Sequence, residues 1–198
     1  MYEKFGQFID GKWSPSENKE TYEVINPATE EVLGHASKAT PADVDRALKS
    51  SEKGLKVWQK VKPWDRSYIL RKIADRMREK KDVLAKWMTL ENGKPLAEGI
   101  GETNGAADIF EWNAEETKRI FGQTIESRFE ETRVHVYYQP VGVVAALSPW
   151  NFPLVLAARK ISTALAAGCS VIIKPDTITP GVVMELVDIC RECGVPPG

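Results

Sequence analysis

The chain has 198 residues, enough for one good-sized domain or two small ones, with 42% hydrophobic and 28% charged content. Its 27 basic residues against 28 acidic ones leave a formal net charge of −1, so nothing electrostatic favours nucleic acid or an acidic membrane surface as a partner. The longest uncharged apolar run, residues 141–147, is far too short to span a bilayer, and the start MYEKFGQFIDGKW has no signal-peptide core. Three cysteines are an odd count without a secretory context, which argues against a disulfide framework. A soluble, cytoplasmic protein is the expectation.

In chain order, the first elements read as β structure. Phe8-Ile9, Asp10-Gly11 and Lys12-Trp13 form a hairpin signal around a D-G turn. Tyr22 to Ile25 and Glu31 to Leu33 flank the turn-like cluster Asn26-Pro27-Ala28-Thr29. Thr40-Pro41 then opens a helix, with Thr40 as N-cap and Val44, Ala47, Leu48, Leu55 and Trp58 on its expected apolar face. Lys62-Pro63 starts a second helix, in which Ile69, Leu70, Ile73, Ala74 and Met77 keep helical spacing while its many charges read as a solvated face. Asp82 to Asn92 continues as helix up to a stop at Gly93, and another helix is expected from about Glu102.

Residues 132–138, TRVHVYY, alternate like a half-buried strand. Val141 to Leu147 is apolar on both faces, as a central parallel strand would be. Leu154, Ala157, Ala158, Ile161, Ala164 and Leu165 form a helical stripe closed by Gly168, and Ser170 to Ile173 is the next buried strand. Thr179-Pro180 starts a last helix that ends at Gly194. Strand, helix, strand and helix at this spacing predict an α/β fold, with a doubly wound, Rossmann-like parallel sheet at the C-terminal end.

Two patterns invite chemical readings that their contexts do not support. Gly99 to Gly105 looks like a glycine-rich phosphate loop, but helix and loop precede it where a strand is required, so a flexible helix-to-helix connection is the expectation. Cys190 and Cys193 have C-x-x-C spacing at a helix end, not at the helix start that lowers a thiol pKa. Buried structural cysteines are expected there, and no set of metal ligands is assembled.

The candidate chemistry lies in residues 148–180. Ligands of an open parallel sheet bind outside the carboxyl ends of its strands, where Asn151 follows one strand and Lys174 ends the next. An asparagine amide offers two donors to a developing oxyanion, and Pro149 and Pro153 restrict the backbone around it. A strand-end lysine can donate to ribose hydroxyls or phosphate. A turn asparagine and a snorkelling surface lysine remain the plain alternatives.

PWNFP, AARKISTALAAGC and VIIKPDTITP, with FIDGKW, INPATEEVLG, ENGKPLAE and GVPPG in order, resemble the NAD(P)-dependent aldehyde dehydrogenase superfamily over essentially the whole chain. The resemblance implies thiohemiacetal and thioester chemistry in which Asn151 donates to the oxyanion. It also implies that Pro149 and Trp150 lie beside the cofactor and that Lys174, with Pro175, Asp176 and Thr177, binds on its adenosine ribose side. The family often has glutamate where Thr177 stands. A carboxylate there would repel a 2′-phosphate, so the cofactor is NADP or NAD, with NADP favoured. Arg159 and the segment 110–119 look like those of succinate-semialdehyde dehydrogenases, whose arginine clamps a distal carboxylate. Lactaldehyde-type relatives carry it too, and a structural salt bridge is the alternative.

On this resemblance residues 1–122 are the N-terminal strands and helices of the cofactor domain, 123–139 an oligomerisation hairpin, and 140–198 the first βαβα part of its sheet. Family chains are more than twice this length, and neither the nucleophilic cysteine nor the glutamate base falls within these residues, so the cofactor sheet is incomplete and the catalytic domain absent. Two functions follow. One is the N-terminal part of a semialdehyde dehydrogenase that assembles as a dimer or tetramer. The other is an inactive module that associates with full-length subunits.

Overall fold

The computed structural model describes residues 2–198. Two antiparallel hairpins come first: β1 (Gln7–Ile9) with β2 (Lys12–Ser14), then β3 (Thr21–Ile25) with β4 (Val32–Ser37). Asp10 and Gly11 have φ of 52° and 76°, the paired left-handed conformation that two-residue hairpin turns require. Four helices follow: α1 (Pro41–Trp58), α2 (Pro63–Glu79), α3 (Lys81–Asn92) and α4 (Leu96–Glu116). A third hairpin pairs β5 (Gln123–Glu126) with β6 (Arg133–Val136). The chain closes with β7 (Val143–Leu147), α5 (Pro153–Ala166), β8 (Ser170–Lys174) and α6 (Pro180–Cys193).

β7 and β8 pair in parallel, from Val143 opposite Ser170 to Leu147 opposite Lys174, with α5 as the connecting helix. This is the expected βαβ unit, and the α/β class stands. Its core lies between helices: Leu70, Ile73 and Met77 of α2, Phe110 of α4, Leu154 of α5 and Leu186 of α6 have no exposed surface. Hydrogen bonds cross-link the same layer. Asn113 Nδ2 donates to Ser162 Oγ at 2.9 Å, Thr117 Oγ1 to Ala166 O at 2.6 Å, and Trp58 Nε1 to Leu165 O at 2.8 Å.

Several expectations need correction. α1 does not bury its Val44/Leu48 side: both are exposed, and the buried face is Asp43, Ser50, Ser51, Gly54 and Trp58. Close approach decides this. Ser50 Oγ accepts from Asp10 N, and a Cβ on Gly54 would lie 2.5 Å from Gly198 O, so only small residues fit that side. α4 begins at Leu96, not near Glu102, so Gly99, Gly101 and Gly105 are helical and not a flexible connection. A Cβ on Gly99 would lie 3.1 Å from Ala85 Cα, and the glycine lets α4 approach α3. β6 is exposed at Arg133, Val134 and His135, and not half-buried, because among the described residues the β5–β6 hairpin pairs only with itself. β7 is likewise less buried than its apolar pattern suggests, with Leu147 66% exposed, because β8 is its one pairing partner among the described residues.

Trp58 joins α1 to α5 through one buried bond. Trp58→Phe keeps most of the ring volume but removes this donor from the Leu165 carbonyl, which retains the Gly168 N–H at 3.0 Å, and should cost about 0.5–1.5 kcal/mol. Urea unfolding of the two proteins reads this directly, and an unchanged midpoint would show the bond to be dispensable.

Candidate functional site

The ends of β7 and β8 lie side by side, because Leu147 and Lys174 are register partners and Ser148 N donates to Lys174 O at 3.2 Å. Two loops leave this edge: residues 148–152 run into α5, and 175–179 run into α6. They hold every candidate from the sequence except Arg159, which lies on α5, and Lys174 itself, which closes β8.

The first loop is held through its backbone. Asn92 Nδ2 donates to Trp150 O at 3.0 Å, and Lys94 Nζ donates to Asn151 O at 3.2 Å. Lys94 also pairs with Glu102 of α4, and its ammonium lies 4.0 Å from the centre of the Phe152 ring. Glu102 Oε1 accepts from the N–H groups of Leu154 and Val155, each at 3.0 Å. A buried carboxylate thus satisfies the first turn of α5, where unpaired N–H groups and the helix dipole favour negative charge.

The second loop ends the same way. Glu91, fully buried near the end of α3, accepts from Gly181 N at 2.7 Å and Val182 N at 3.2 Å in the first turn of α6. It also accepts the Tyr2 hydroxyl. Thr179, at the cap position, is buried with its hydroxyl unpartnered, since Glu91 has taken the donors it would cap. Asp176 Oδ1 accepts from Ile178 N at 3.1 Å, which turns the loop.

Against this fixed backbone, the side chains of Asn151, Lys174 and Thr177 are exposed and make no hydrogen bond among the described residues. Pro149 and Trp150 are exposed beside them, and Pro175 is half-buried. Arg159 is exposed and forms no ion pair among the described residues. The three cysteines are buried, and burial pushes the Cys190 and Cys193 thiols up, away from nucleophilic character. An open groove of about 370 Å³ borders the first loop, lined by Gly101, Gly105, Phe152 and Val155 with Lys94, Glu98 and Glu102. A Cβ on Gly101 or Gly105 would meet nothing within 4 Å. A larger concavity among Tyr2, Phe5, Trp13 and Leu33 contains none of the strand-end residues.

Glu91, Asn92, Lys94 and Glu102 have no part in the chemistry legible in the sequence. Their signal was there: Glu91 lies on the apolar stripe of α3, at helical spacing from Leu84 and Met88, where a solvated carboxylate does not belong.

A model of the aldehyde dehydrogenase family matches residues 13–198. The chain is 44% identical over 191 residues to the glutarate-semialdehyde dehydrogenase of Pseudomonas putida, covering 96% of this chain and 40% of that protein. It is 42% identical over 190 residues to the NADP(+) succinate-semialdehyde dehydrogenase GabD of Escherichia coli, covering 96% and 39%. An E. coli NADP-dependent enzyme of known crystal structure superposes with a TM-score of 0.95 at 40% identity, covering all of this chain and 41% of that one. The chain therefore spans about two fifths of the length of the curated relatives it matches.

Burial pushes Glu91 up to about 7, although the Tyr2 hydroxyl and the Gly181 and Val182 N–H groups oppose the shift. Burial, with the charge of Glu91, raises Tyr2 as well, and Tyr22 to about 12. A carboxylate raised by folding takes up a proton on folding between its ordinary 4.5 and about 7. The stability this group contributes is fully present below that window and lost as pH rises through it. Urea midpoints should therefore fall across the window in the wild-type chain, and Glu91→Gln should flatten that fall. An identical slope in the variant would assign the titration to another group.

Proposed function

The chain belongs to the aldehyde dehydrogenase family, and we propose that it is the part of a semialdehyde dehydrogenase that supplies the oxyanion donor and the ribose side of the cofactor site. One observation carries this reading. The loop from Ser148 to Phe152 is bonded at two backbone carbonyls and at the helix start that follows it, while the Asn151 amide has no partner among the described residues.

A free, well-positioned amide suits a carbonyl oxygen that gains negative charge as a nucleophile adds to its carbon. The two N–H groups of Asn151 then stabilise charge that is absent from the ground state, which is what lowers a barrier. None of Cys169, Cys190 and Cys193 fits the nucleophile, since all three are buried.

The second loop fits one half of a nicotinamide dinucleotide. Lys174 offers an exposed, unpaired ammonium to ribose oxygens, Thr177 a small hydroxyl, and Trp150 a flat face beside them. The first turns of α5 and α6 hold Glu102 and Glu91, so neither helix start is free to receive the phosphates. The cofactor, once bound, would accept the hydride from the aldehyde carbon. With no carboxylate at Thr177 to repel a 2′-phosphate, NADP is the favoured form, in keeping with the NADP named for two of the relatives.

The named relatives act on semialdehydes of dicarboxylic acids, and exposed, unpaired Arg159 suits a distal carboxylate. Assembly into dimers or tetramers is consistent with the β5–β6 hairpin, which exposes Ile125 and Val134 and is followed by exposed Tyr137 and Tyr138. The same surface serves the association-module reading.

In the enzyme carrying this segment, Asn151→Ala should lower kcat by about 100- to 1000-fold. Retained turnover would remove the oxyanion role. Arg159→Ala should raise KM for succinic semialdehyde by about 10- to 100-fold, the loss of one charge-assisted contact, and leave an uncharged aldehyde unaffected. Equal losses on both substrates would exclude a carboxylate clamp. Thr177→Glu should shift kcat/KM from NADP towards NAD, and equal or better wild-type turnover with NAD would overturn the cofactor preference.

A further inference from the structure

The stretch from Glu91 to Glu102 touches both strand-end loops, yet no step of the proposed chemistry uses it. Its first residue holds the start of α6, and its last holds the start of α5. Between them, Asn92 and Lys94 hold the carbonyls of Trp150 and Asn151. Gly93, left-handed with φ of 77°, and Pro95 turn the chain from α3 into α4 within this stretch, so both carboxylates sit on rigid helices joined by a short, constrained link.

We infer that Glu91 to Glu102 is a two-ended positioning device, in which Glu91 sets the cofactor loop while Lys94 and Glu102 set Asn151. The inference rests on the dehydrogenase reading and names what fixes its two loops. The residues that meet ligand are exposed, and exposed side chains on unsupported loops sample many geometries. Each loop is instead defined by its ends. The loop of Asp176 and Thr177 begins at the end of β8, which is hydrogen-bonded to β7, and finishes at Pro180, one residue before the N–H groups that Glu91 holds. If Glu91 lets go, the buried, unpartnered hydroxyl of Thr179 is the nearest alternative cap, and taking that role redraws the loop. Asn151 is held by its own carbonyl and by the helix start that follows it, both through Lys94 and Glu102. The two ends touch different loops, so their effects on the reaction separate.

The test is kinetic and structural, on the active enzyme that carries this segment. Glu91→Gln, which keeps one acceptor oxygen but removes the charge, should raise KM for the nicotinamide cofactor on the order of 10-fold, with kcat changed less than about twofold. Lys94→Met should lower kcat on the order of 10- to 100-fold with little change in cofactor KM. Both variants shifting the same parameter, or neither shifting any, overturns the inference. Amide hydrogen exchange separates positioning from simple loss of fold. Glu91→Gln should speed exchange at Gly181 and Val182 alone, and Glu102→Gln at Leu154 and Val155 alone. Acceleration throughout the helical core in either variant also overturns it. A wild-type enzyme that oxidises no aldehyde with NAD or NADP would sink the dehydrogenase reading. The inference is then decided by exchange and by the cofactor dissociation constants of the same variants.

Discussion

The Glu102 carboxylate, buried against the first turn of α5, is the contact on which the arrangement of the site depends. It accepts two helix N–H groups and pairs with Lys94, whose ammonium also reaches the Asn151 carbonyl and faces the Phe152 ring. A buried ion pair is a poor source of net stability, because removing both charges from water costs about what their attraction returns. This one is satisfied on several sides, and its geometry is specific where an apolar contact would tolerate sliding. Neither charge can be withdrawn alone without leaving the other buried and unpaired. Its consequence is therefore definition: the backbone of the Asn151 loop has one place to be.

Glu91 repeats the device at α6, and together the two carboxylates change what a parallel sheet of this type can bind. In the common dinucleotide-binding arrangement, phosphate sits at a helix start beside a glycine-rich turn. Here both helix starts that follow the described parallel strands are filled by protein carboxylates. The glycine-rich run at 99–105 lies inside α4, where Gly99 allows close helix packing and Gly101 and Gly105 open the groove beside Phe152. Glycine in that sequence meets steric needs of the protein, not the approach of a phosphate.

How much of this was legible follows from how local each determinant is. The Asp10-Gly11 turn, the Thr40-Pro41 helix start, the Gly93 stop and the apolar stripe of α5 are set within a few residues, and all were readable. The position of Asn151 and Lys174 at the sheet edge was readable because it follows from the strand ends. The buried face of α1 was not readable, because it depends on how closely Gly198 and the first hairpin approach it. The roles of Glu91 and Glu102 were hidden for the same reason: their helix-start partners lie 90 and 52 residues away in sequence. A buried acid on an apolar stripe announces that a partner exists, but not which.

Stiffness and exposure are thus divided between different residues. The acids and the lysine that fix the loops are buried, while Asn151, Lys174, Thr177 and Arg159 are exposed and have no side-chain partner among the described residues. That division keeps the polar cost of organisation inside the helical layer, where hydrogen bonds can be completed, and leaves the candidate edge without internal partners among the described residues. β7 shows the other side of the same economy. Parallel strands are ordinarily covered on both faces, yet Leu147 is largely exposed. β8 is the one pairing partner of β7 among the described residues. The loops at that edge are defined without such cover, because the contacts that define them come from α3, α4 and the short link between them.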